Sequence, residues 1–392
     1  MARFRSTLPK KQKVIAPVQA IVLITSVVSI FILFYSHRQV YEAKDESRRI
    51  SFSNSSSSAI KPILPAEQDF PFKWRPMDCH DFLKQTFEGK GPVEDPNHGQ
   101  LFGRMTSPNE TKHPFWINIH TKLFDPRRYE VWTEGYYYEK VLTGIFQDIL
   151  EDAPANGRVL DVGGNIGWFT FLSGSMKHHV DVFEPNAVNL IRLCQSKRLN
   201  EWETATEADI TSRAFKRSSI NIRQYGVSSE ETTRSMFFGN PGMGTFVNTR
   251  EFVPSNGRLG QKEVKDLPLI TLDTMATELN WFQIRPIISI LKIDIEGSEA
   301  LAVQGARKLL KSGMVRNILM ESTGRFNNTE NQMMLEQIIN SGYKLHRVGG
   351  GSGPNLEPPV EMPTSDASAQ AQFLIETYMP KVRKQVNLWW KH

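Results

Sequence analysis

Cysteine is almost absent from this sequence, which contains only Cys79 and Cys194 in 392 residues. Two cysteines are too few for a disulfide-rich scaffold or for a cysteine-based metal cluster. They could form one disulfide in an oxidising compartment, or they could remain two unrelated thiols.

The chain also has little net charge, since its formal net charge is only +5. Five basic residues, from Arg3 to Lys13, precede the first acidic residue, Glu42. The rest of the chain is therefore close to neutral and lacks the basic surface that nucleic-acid binding requires. We predict no nucleic-acid partner.

Charge of either sign is missing from residues 14–36, and most of this segment is aliphatic or aromatic. A helix of this length spans roughly 30 Å, enough to cross the bilayer core. The basic head on its N-terminal side predicts a cytosolic N-terminus and a body on the luminal side. A cleaved signal peptide is the alternative, but its apolar core would be shorter, and no small-residue cleavage pattern follows. We predict a type II signal anchor in the endoplasmic reticulum or Golgi membrane.

The composition changes along the chain in a way that predicts its domain organisation. Residues 51–58 are rich in serine and typical of a flexible stem. Asn54, Asn109 and Asn327 fit the glycosylation acceptor pattern, which supports a luminal body only weakly. The predicted parts are a basic head (1–13), an anchor (14–36), a stem (37–78), an N-terminal extension (79–128), a catalytic domain (129–380) and a C-terminal tail (381–392).

Short apolar strands alternate regularly with amphipathic helices after residue 128. This alternation predicts an α/β fold, with a mostly parallel sheet between two layers of helices. The last two strands lie close together in the sequence and could form an antiparallel edge pair. The predicted strands are 115–120, 159–162, 180–183, 220–225, 287–293, 317–320, 343–348 and 372–377; the predicted helices are 129–150, about 168–175, 186–197, 272–279, 298–311 and 332–340; hairpins are predicted within 229–272.

A glycine-rich turn follows the first strand of this alternating region. Residues 158–170 read R-V-L-D-V-G-G-N-I-G-W-F-T. A strand, a glycine turn and a helix in this order cradle nucleotides, because glycine lets the backbone approach the ligand. Glu184 ends the next strand, about twenty residues on, where a carboxylate can bind ribose hydroxyls. The pattern is compatible with NAD, FAD or S-adenosylmethionine.

Carboxylates also occur where other predicted strands end. Parallel strands present their carboxyl ends at one edge of the sheet, where ligands bind. Several acids converging on this edge indicate a cationic or hydroxyl-bearing ligand, or a divalent metal. The residues at these ends are Asp161, Gly163, Glu184, Ser228, Asp294, Glu296 and Glu321.

Five blocks of this sequence together resemble the FkbM-type family of S-adenosylmethionine-dependent methyltransferases. They read V-L-D-V-G-G-N-I-G-W-F-T, V-F-E-P-N, T-L-D-T-M, L-K-I-D-I-E-G-S-E with Q-G-A-R, and I-L-M-E. The resemblance extends over about residues 129–377. It implies a Rossmann-like seven-stranded methyltransferase sheet with an antiparallel edge strand, and methyl transfer to oxygen. Gly226 departs from the family, whose members more often have alanine there.

The resemblance also implies roles for the residues at the strand ends. Glu184 would hold the ribose of S-adenosylmethionine, and Asn186 and Ser228 would border the adenine. The catalytic candidates Asp294, Glu296 and Glu321 would act as general bases, or as ligands of a Mg²⁺-like ion. We favour a base, because oxygen ligands are few and no histidine is near in sequence. The residues expected around the methionine part are Asp161, Gly163, Gly164, Asn165 and Gly167.

The sequence thus predicts a membrane-anchored O-methyltransferase that acts on a glycan or a lipid-linked sugar. Another Rossmann enzyme, such as an NAD-dependent dehydrogenase, is the first alternative. A non-catalytic membrane-anchored binding module is the second. We interpret Glu299 as a structural carboxylate at a helix N-terminus.

Overall fold

The computed structural model describes residues 76–90, 101–107, 110–121, 139–155, 157–212, 218–238, 244–246, 262–323, 329–346, 348, 360–378 and 385–392. These residues all belong to one compact unit, Asp69–His392. Within the described ranges, no helix is long and apolar enough to cross a membrane. The predicted anchor at residues 14–36, the serine-rich stem and the asparagines of the three glycosylation triplets lie outside these ranges.

A seven-stranded sheet forms the centre of the fold. Five strands are parallel neighbours, and their central members are buried throughout, because helices cover both faces. This confirms the predicted α/β class. From edge to edge, the strands are β12 (Lys344–His346), β13 (Gln385–Lys391), β11 (Asn317–Thr323), β10 (Ile288–Ile293), β3 (Arg158–Val162), β4 (His179–Phe183) and β5 (Ile220–Arg223).

Side chains of the central strands enter two hydrophobic cores, one on each face of the sheet. On β3, Leu160 and Val162 enter one core, and Val159 enters the other. The first core also contains residues of α6 (Leu272–Glu278), α7 (Trp281–Ile284), α8 (Glu299–Gln304), α9 (Arg307–Lys311), α10 (Thr329–Asn340) and α11 (Ala367–Phe373). The second contains residues of α1 (Cys79–Phe87), α2 (Lys140–Asp152), α3 (Trp168–Ser175) and α4 (Ala187–Leu199). A further helix, α5, spans Glu207–Thr211.

The C-terminal part of the fold corrects two predictions. Residues 372–377 are not a strand but the end of α11 and a π-helical turn, Leu374–Tyr378. Ala371, Leu374 and Ile375 are buried at helical spacing, so this apolar run serves a helix. The seventh strand is instead β13, within the segment predicted as a tail (381–392). Because β13 lies between β11 and β12 and is antiparallel to both, the antiparallel strand is not at the edge.

Two other regions differ in detail from the prediction. The helix predicted over 298–311 is divided into α8 and α9. The predicted hairpins form a second sheet of β6 (Gly226–Val227), β9 (Lys262–Ile270), β7 (Thr232–Phe238) and β8 (Gly244–Phe246). Only Lys140–Asp152 of the helix predicted over 129–150 is described, because residues 122–138 lie outside the described ranges.

The N-terminal extension packs directly on α4. Its hairpin joins β1 (Gly103–Met105) and β2 (Trp116–Asn118), in place of the single strand predicted over 115–120. The backbone N–H of Asn118 donates to Ser196 Oγ at 2.8 Å, and that of Trp116 donates to Asn200 Oδ1 at 2.8 Å. A disulfide between Cys79 and Cys194 ties α1 to the same helix, so the two cysteines are paired.

A buried ionic cluster joins the three strands on one side of the sheet. Asp181 on β4 accepts from Arg158 Nη1 at 2.6 Å and from Arg223 Nη2 at 2.7 Å. Glu207 on α5 accepts from Arg158 Nη2 at 2.8 Å. Burial opposes ionisation of Asp181, but the two guanidinium groups outweigh it and lower the pKa of this carboxyl below its ordinary value.

Replacing Asp181 should destabilise the protein strongly, because two buried arginines would lose their shared carboxylate. We expect Asp181→Asn to cost about 3–5 kcal/mol of unfolding free energy, measured by urea denaturation. The stabilisation is present at neutral pH and should be lost as acid protonates the carboxylate. Glu230→Gln is the control, because the Glu230–Arg234 pair is exposed and should contribute at most about 1 kcal/mol. Equal losses for both variants would contradict this account.

Candidate active site

The glycine turn after β3 is packed too closely for any other residue. Gly163 has φ +88°, and a Cβ there would lie 1.9 Å from the carbonyl oxygen of Asp294. A Cβ on Gly164 would lie 2.1 Å from Val182 Cγ2. The N–H groups of Gly163 and Gly164 donate to the Phe183 carbonyl oxygen, at 2.9 and 3.1 Å. The turn is therefore fixed against both neighbouring strands.

Glu184 lies beside this turn and is held by backbone donors. Its Oε2 accepts from Asn165 N at 2.7 Å, and its Oε1 accepts from Asn186 N at 2.8 Å. Burial raises the pKa of Glu184 to about 7, although these hydrogen bonds lower it. A carboxylate has about four lone-pair sites, so acceptor capacity remains for a hydroxyl donor. A ribose diol supplies such donors, so Glu184 fits the ribose of a nucleoside cofactor.

Asn165 and Asn186 each have a local structural role next to Glu184. Asn165 has φ 50°, in the left-handed region that asparagine tolerates better than most residues. The Asn186 side chain caps α4 by accepting from Val188 N at 3.0 Å. Both residues thus hold their N–H groups towards the carboxylate, while their predicted contacts with the cofactor stay predictions.

Asp161 is placed beneath the turn. Its side chain is 1% exposed, and Oδ2 accepts from the Thr170 hydroxyl at 2.6 Å. This contact ties β3 to α3, whose preceding residue Gly167 has φ +102°. Asp161 therefore supports the turn from within the core, and a direct contact with the methionine part stays a prediction.

Lys292 is a buried residue of the site that the sequence reasoning missed. It lies on β10 opposite Asp161 on β3, and is 4% exposed. Its Nζ lies 3.3 Å from Asp161 Oδ1 and 3.4 Å from Asp294 Oδ2, and donates to the Gly163 carbonyl oxygen at 3.2 Å. The signal available in the sequence was a lone cation within a strand whose other residues, apart from Ser289, are apolar.

The charge of Lys292 is retained despite its burial. Burial alone would lower the pKa of this amine, but the Asp161 and Asp294 carboxylates raise it above its ordinary value. A single ammonium group therefore contacts the glycine turn, its supporting aspartate and a carboxylate at the end of β10.

Asp294 and Glu321 come together at the ends of β10 and β11. The two side chains are hydrogen-bonded, and burial together with the Asp294 charge raises the pKa of Glu321 well above its ordinary value. Glu321 therefore holds a proton near neutral pH beside Asp294. Asp294 is partly accessible, with 24% of its side chain exposed. The pair can accept a proton from a bound ligand.

Glu296 and Glu299 follow Asp294 but differ in role. Glu299 is buried and accepts from Ile295 N at 3.2 Å and Gly297 N at 3.0 Å, so it fixes the loop that enters α8. Glu296 has φ 55°, a strained conformation of the kind found at functional sites, and its charge acts on Glu321. Glu139, at the start of α2, also acts electrostatically on Glu321 and was not predicted in the site.

Ser228 lies apart from these contacts. The Ser228 N–H donates to the Ile270 carbonyl oxygen at 2.8 Å. A Cβ on Gly305 would lie 2.0 Å from the Ser228 carbonyl oxygen. Its buried hydroxyl has no hydrogen-bond partner among the described residues. No group of three or more histidine, cysteine, aspartate or glutamate side chains in the described ranges has the arrangement of a metal site.

The fold and this site have the arrangement that binds nucleoside cofactors at the carboxyl ends of a parallel sheet. The model of the methyltransferase FkbM domain matches residues 161–345, a range that holds the glycine turn, Glu184, Lys292, Asp294 and Glu321. Residues 161–345 are therefore similar to a methyltransferase domain of the FkbM type, and S-adenosylmethionine is the cofactor that this match supports. No curated protein matches this sequence.

Several solved structures are similar to this chain at low sequence identity. A methyltransferase complexed with SAH aligns at TM-score 0.33 and 7% identity, covering 74% of this chain and 56% of that one. A SAM-dependent methyltransferase from Agrobacterium tumefaciens aligns at TM-score 0.32 and 8% identity, covering 74% of this chain and 69% of that one. A proposed SAM-dependent methyltransferase from Streptococcus mutans aligns at TM-score 0.33 and 8% identity, covering 77% of this chain and 57% of that one. The chain thus spans little more than half of the first and third of these proteins.

Adding a methyl group at the glycine turn should impair cofactor binding. Gly163→Ala would place a Cβ against Asp294 and force a left-handed backbone on alanine. We expect the Kd for S-adenosylhomocysteine, measured by calorimetry, to rise at least about tenfold. Gly144→Ala is the matched control, because a Cβ there meets nothing within 4 Å. Unchanged affinity in Gly163→Ala would show that the turn does not form the cofactor site.

Cofactor affinity should also depend on pH through Glu184. Only the ionised carboxylate can accept from both ribose hydroxyls, and the pKa of Glu184 is about 7. Below this pH, the Kd for S-adenosylhomocysteine should rise, approaching about tenfold per pH unit. Glu184→Gln should bind more weakly at neutral pH and lose most of this dependence. A wild-type Kd that is constant between pH 5.5 and 8 would contradict the assignment.

Proposed function

We propose that this protein is an O-methyltransferase that acts on a hydroxyl group of a glycan or a lipid-linked sugar. The observation that carries the proposal is the Asp294–Glu321 pair, joined through Lys292 to the glycine turn. The glycine turn and the proposed proton acceptor thus form one connected unit.

The chemistry requires alignment and removal of one proton. S-adenosylmethionine supplies an activated methyl group, so the protein mainly holds the acceptor oxygen in line with the sulfonium carbon. The oxygen–carbon bond forms as the sulfur–carbon bond breaks, which leaves S-adenosylhomocysteine and a methyl ether. Asp294, which is partly exposed and contacts Lys292, takes the hydroxyl proton. Glu321 shares that proton, and the Lys292 ammonium compensates the remaining negative charge.

The other candidate functions have less support. A dehydrogenase would also bind a ribose through Glu184, but the family match is to a methyltransferase domain. A binding module without catalysis has no use for two acids that share a proton beside the cofactor turn. Carbohydrate as the acceptor class follows from the family resemblance and from the proposed luminal location.

A luminal location is part of this proposal. Residues 14–36 carry no charge and follow a basic head, as a type II anchor requires. The disulfide between Cys79 and Cys194 supports an oxidising environment, because such bonds are rare in the cytosol.

Removing the proton acceptor should reduce turnover and leave cofactor binding unchanged. We expect Asp294→Asn and Glu321→Gln each to lower kcat by about 10²–10⁴-fold, with Asp294→Asn the more severe. The assay follows transfer of labelled methyl from S-adenosylmethionine to extracted glycans and lipids. Glu278→Gln, on the exposed side of α6, is the control and should retain full activity. Full activity in both site variants would exclude the pair as the base.

The acceptor class can be tested by mass. Glycans and glycolipids from cells with and without the protein should differ by one methyl group on a sugar hydroxyl. A methylated protein or small metabolite, with unchanged glycans and glycolipids, would overturn the proposed acceptor.

The proposed location predicts two simple readouts. Protein from microsomes should show no free thiol before reduction and two afterwards, because the sequence contains only two cysteines. Peptide-N-glycosidase should increase its electrophoretic mobility. Two free thiols, no mobility shift and protease sensitivity in intact microsomes would together place the domain in the cytosol.

A further inference from the structure

The hairpin of the N-terminal extension reaches Glu184 through two buried side chains. His120 follows β2, and its Nε2 lies 3.2 Å from Asn189 Oδ1 on α4. The Asn189 side chain in turn lies beside the Glu184 carboxylate and lowers the pKa of that carboxyl. His120 and Asn189 are 4% and 1% exposed, so water does not replace either partner easily.

The polarity of this chain of contacts is fixed by the asparagine. A carboxamide has one accepting oxygen and one donating NH₂ group. Because an amide that lowers the pKa of a carboxyl presents its NH₂ group to it, the Asn189 oxygen points at His120. His120 must then carry a hydrogen on Nε2, since an unprotonated Nε2 would face the amide oxygen with a second lone pair. His120 thereby selects the amide orientation that supports the carboxylate.

We propose that His120 is a positioning residue for cofactor binding, because it holds the Asn189 amide so that this amide orients Glu184 for the ribose hydroxyls. His120 lies outside the matched residues 161–345, so the extension completes a site of the methyltransferase domain. The proposal rests on the S-adenosylmethionine site and not on the identity of the methyl acceptor.

Attachment of the hairpin does not explain His120. Trp116 and Asn118 already bond the hairpin to α4 through their backbone N–H groups, and the disulfide attaches α1 to the same helix. Glu184, in contrast, is a buried acid near a second one, Asp161, and its ionised form depends on each donor it has. The Asn189 donor is the one contributed by a side chain, so it is the one that needs a partner to fix its orientation.

The test measures S-adenosylhomocysteine binding to the full-length protein by calorimetry. His120→Leu removes the donor at similar volume and should raise the Kd about tenfold, as expected for a hydrogen bond to a charged network. His120→Gln keeps an N–H donor near the Nε2 position and should restore the Kd to within about threefold of wild type. His179→Leu is the matched control. That buried histidine bonds Ser219 at the opposite end of the strand that leads to Glu184, so its loss should lower the Tm and leave the Kd unchanged.

Coupling with Asn189 separates positioning from general loosening of the core. Asn189→Leu should weaken binding at least as much as His120→Leu, and the double variant should bind no more weakly than Asn189→Leu alone. Additive effects, an unchanged Kd in His120→Leu, or an equal change in His179→Leu would each overturn the proposal. Because binding needs no acceptor, these outcomes leave the proposed glycan methylation to its own test.

A measurement on the unmodified protein covers the case in which His120→Leu does not fold. In ¹⁵N-histidine spectra of the full-length chain, the His120 signals are those absent from His120→Gln. They should show a hydrogen on Nε2 and should shift when S-adenosylhomocysteine is added. An Nε2 without hydrogen, or signals that do not move, would overturn the proposal.

Discussion

The site depends on one buried ammonium group, that of Lys292. An unpaired charge at this depth would be very costly, so Lys292 is tolerated only because Asp161 and Asp294 lie on either side of it. These contacts require the register in which Lys292 on β10 faces Asp161 on β3. A one-residue slip would turn the lysine to the other face of the sheet. The register of the two central strands and the charge balance of the site are therefore linked.

This linkage also sets the distance between the glycine turn and Asp294. Gly163 touches the Asp294 backbone so closely that no side chain fits, and Lys292 bonds both residues. The turn proposed to hold the methyl donor and the proposed proton acceptor are thus part of one rigid arrangement. Methyl transfer gains most from such alignment, because the donor is already reactive and the enzyme contributes position.

The N-terminal extension is a structural part of this unit. A disulfide, backbone hydrogen bonds and apolar packing place it against α4, the helix that begins just after Glu184. Crosslinking residues that are 115 positions apart restricts the unfolded chain strongly, which favours the folded state. The extension consequently supports the second hydrophobic core and, through His120 and Asn189, reaches the cofactor side of the sheet.

Local sequence determined the elements whose signal lies within a few residues: the glycine turn, Glu184 at the end of β4, the buried strands and the acids after β10. Long-range contacts decided the rest. The run before Tyr378 suits a strand or a helix, and only burial of Ala371, Leu374 and Ile375 on one face made it a helix. Strand β13 is recognisable only from its partners β11 and β12. The Cys79–Cys194 pairing, the Lys292 contacts and the Asp294–Glu321 pair likewise join distant positions, and their energies depend on burial that no short pattern specifies.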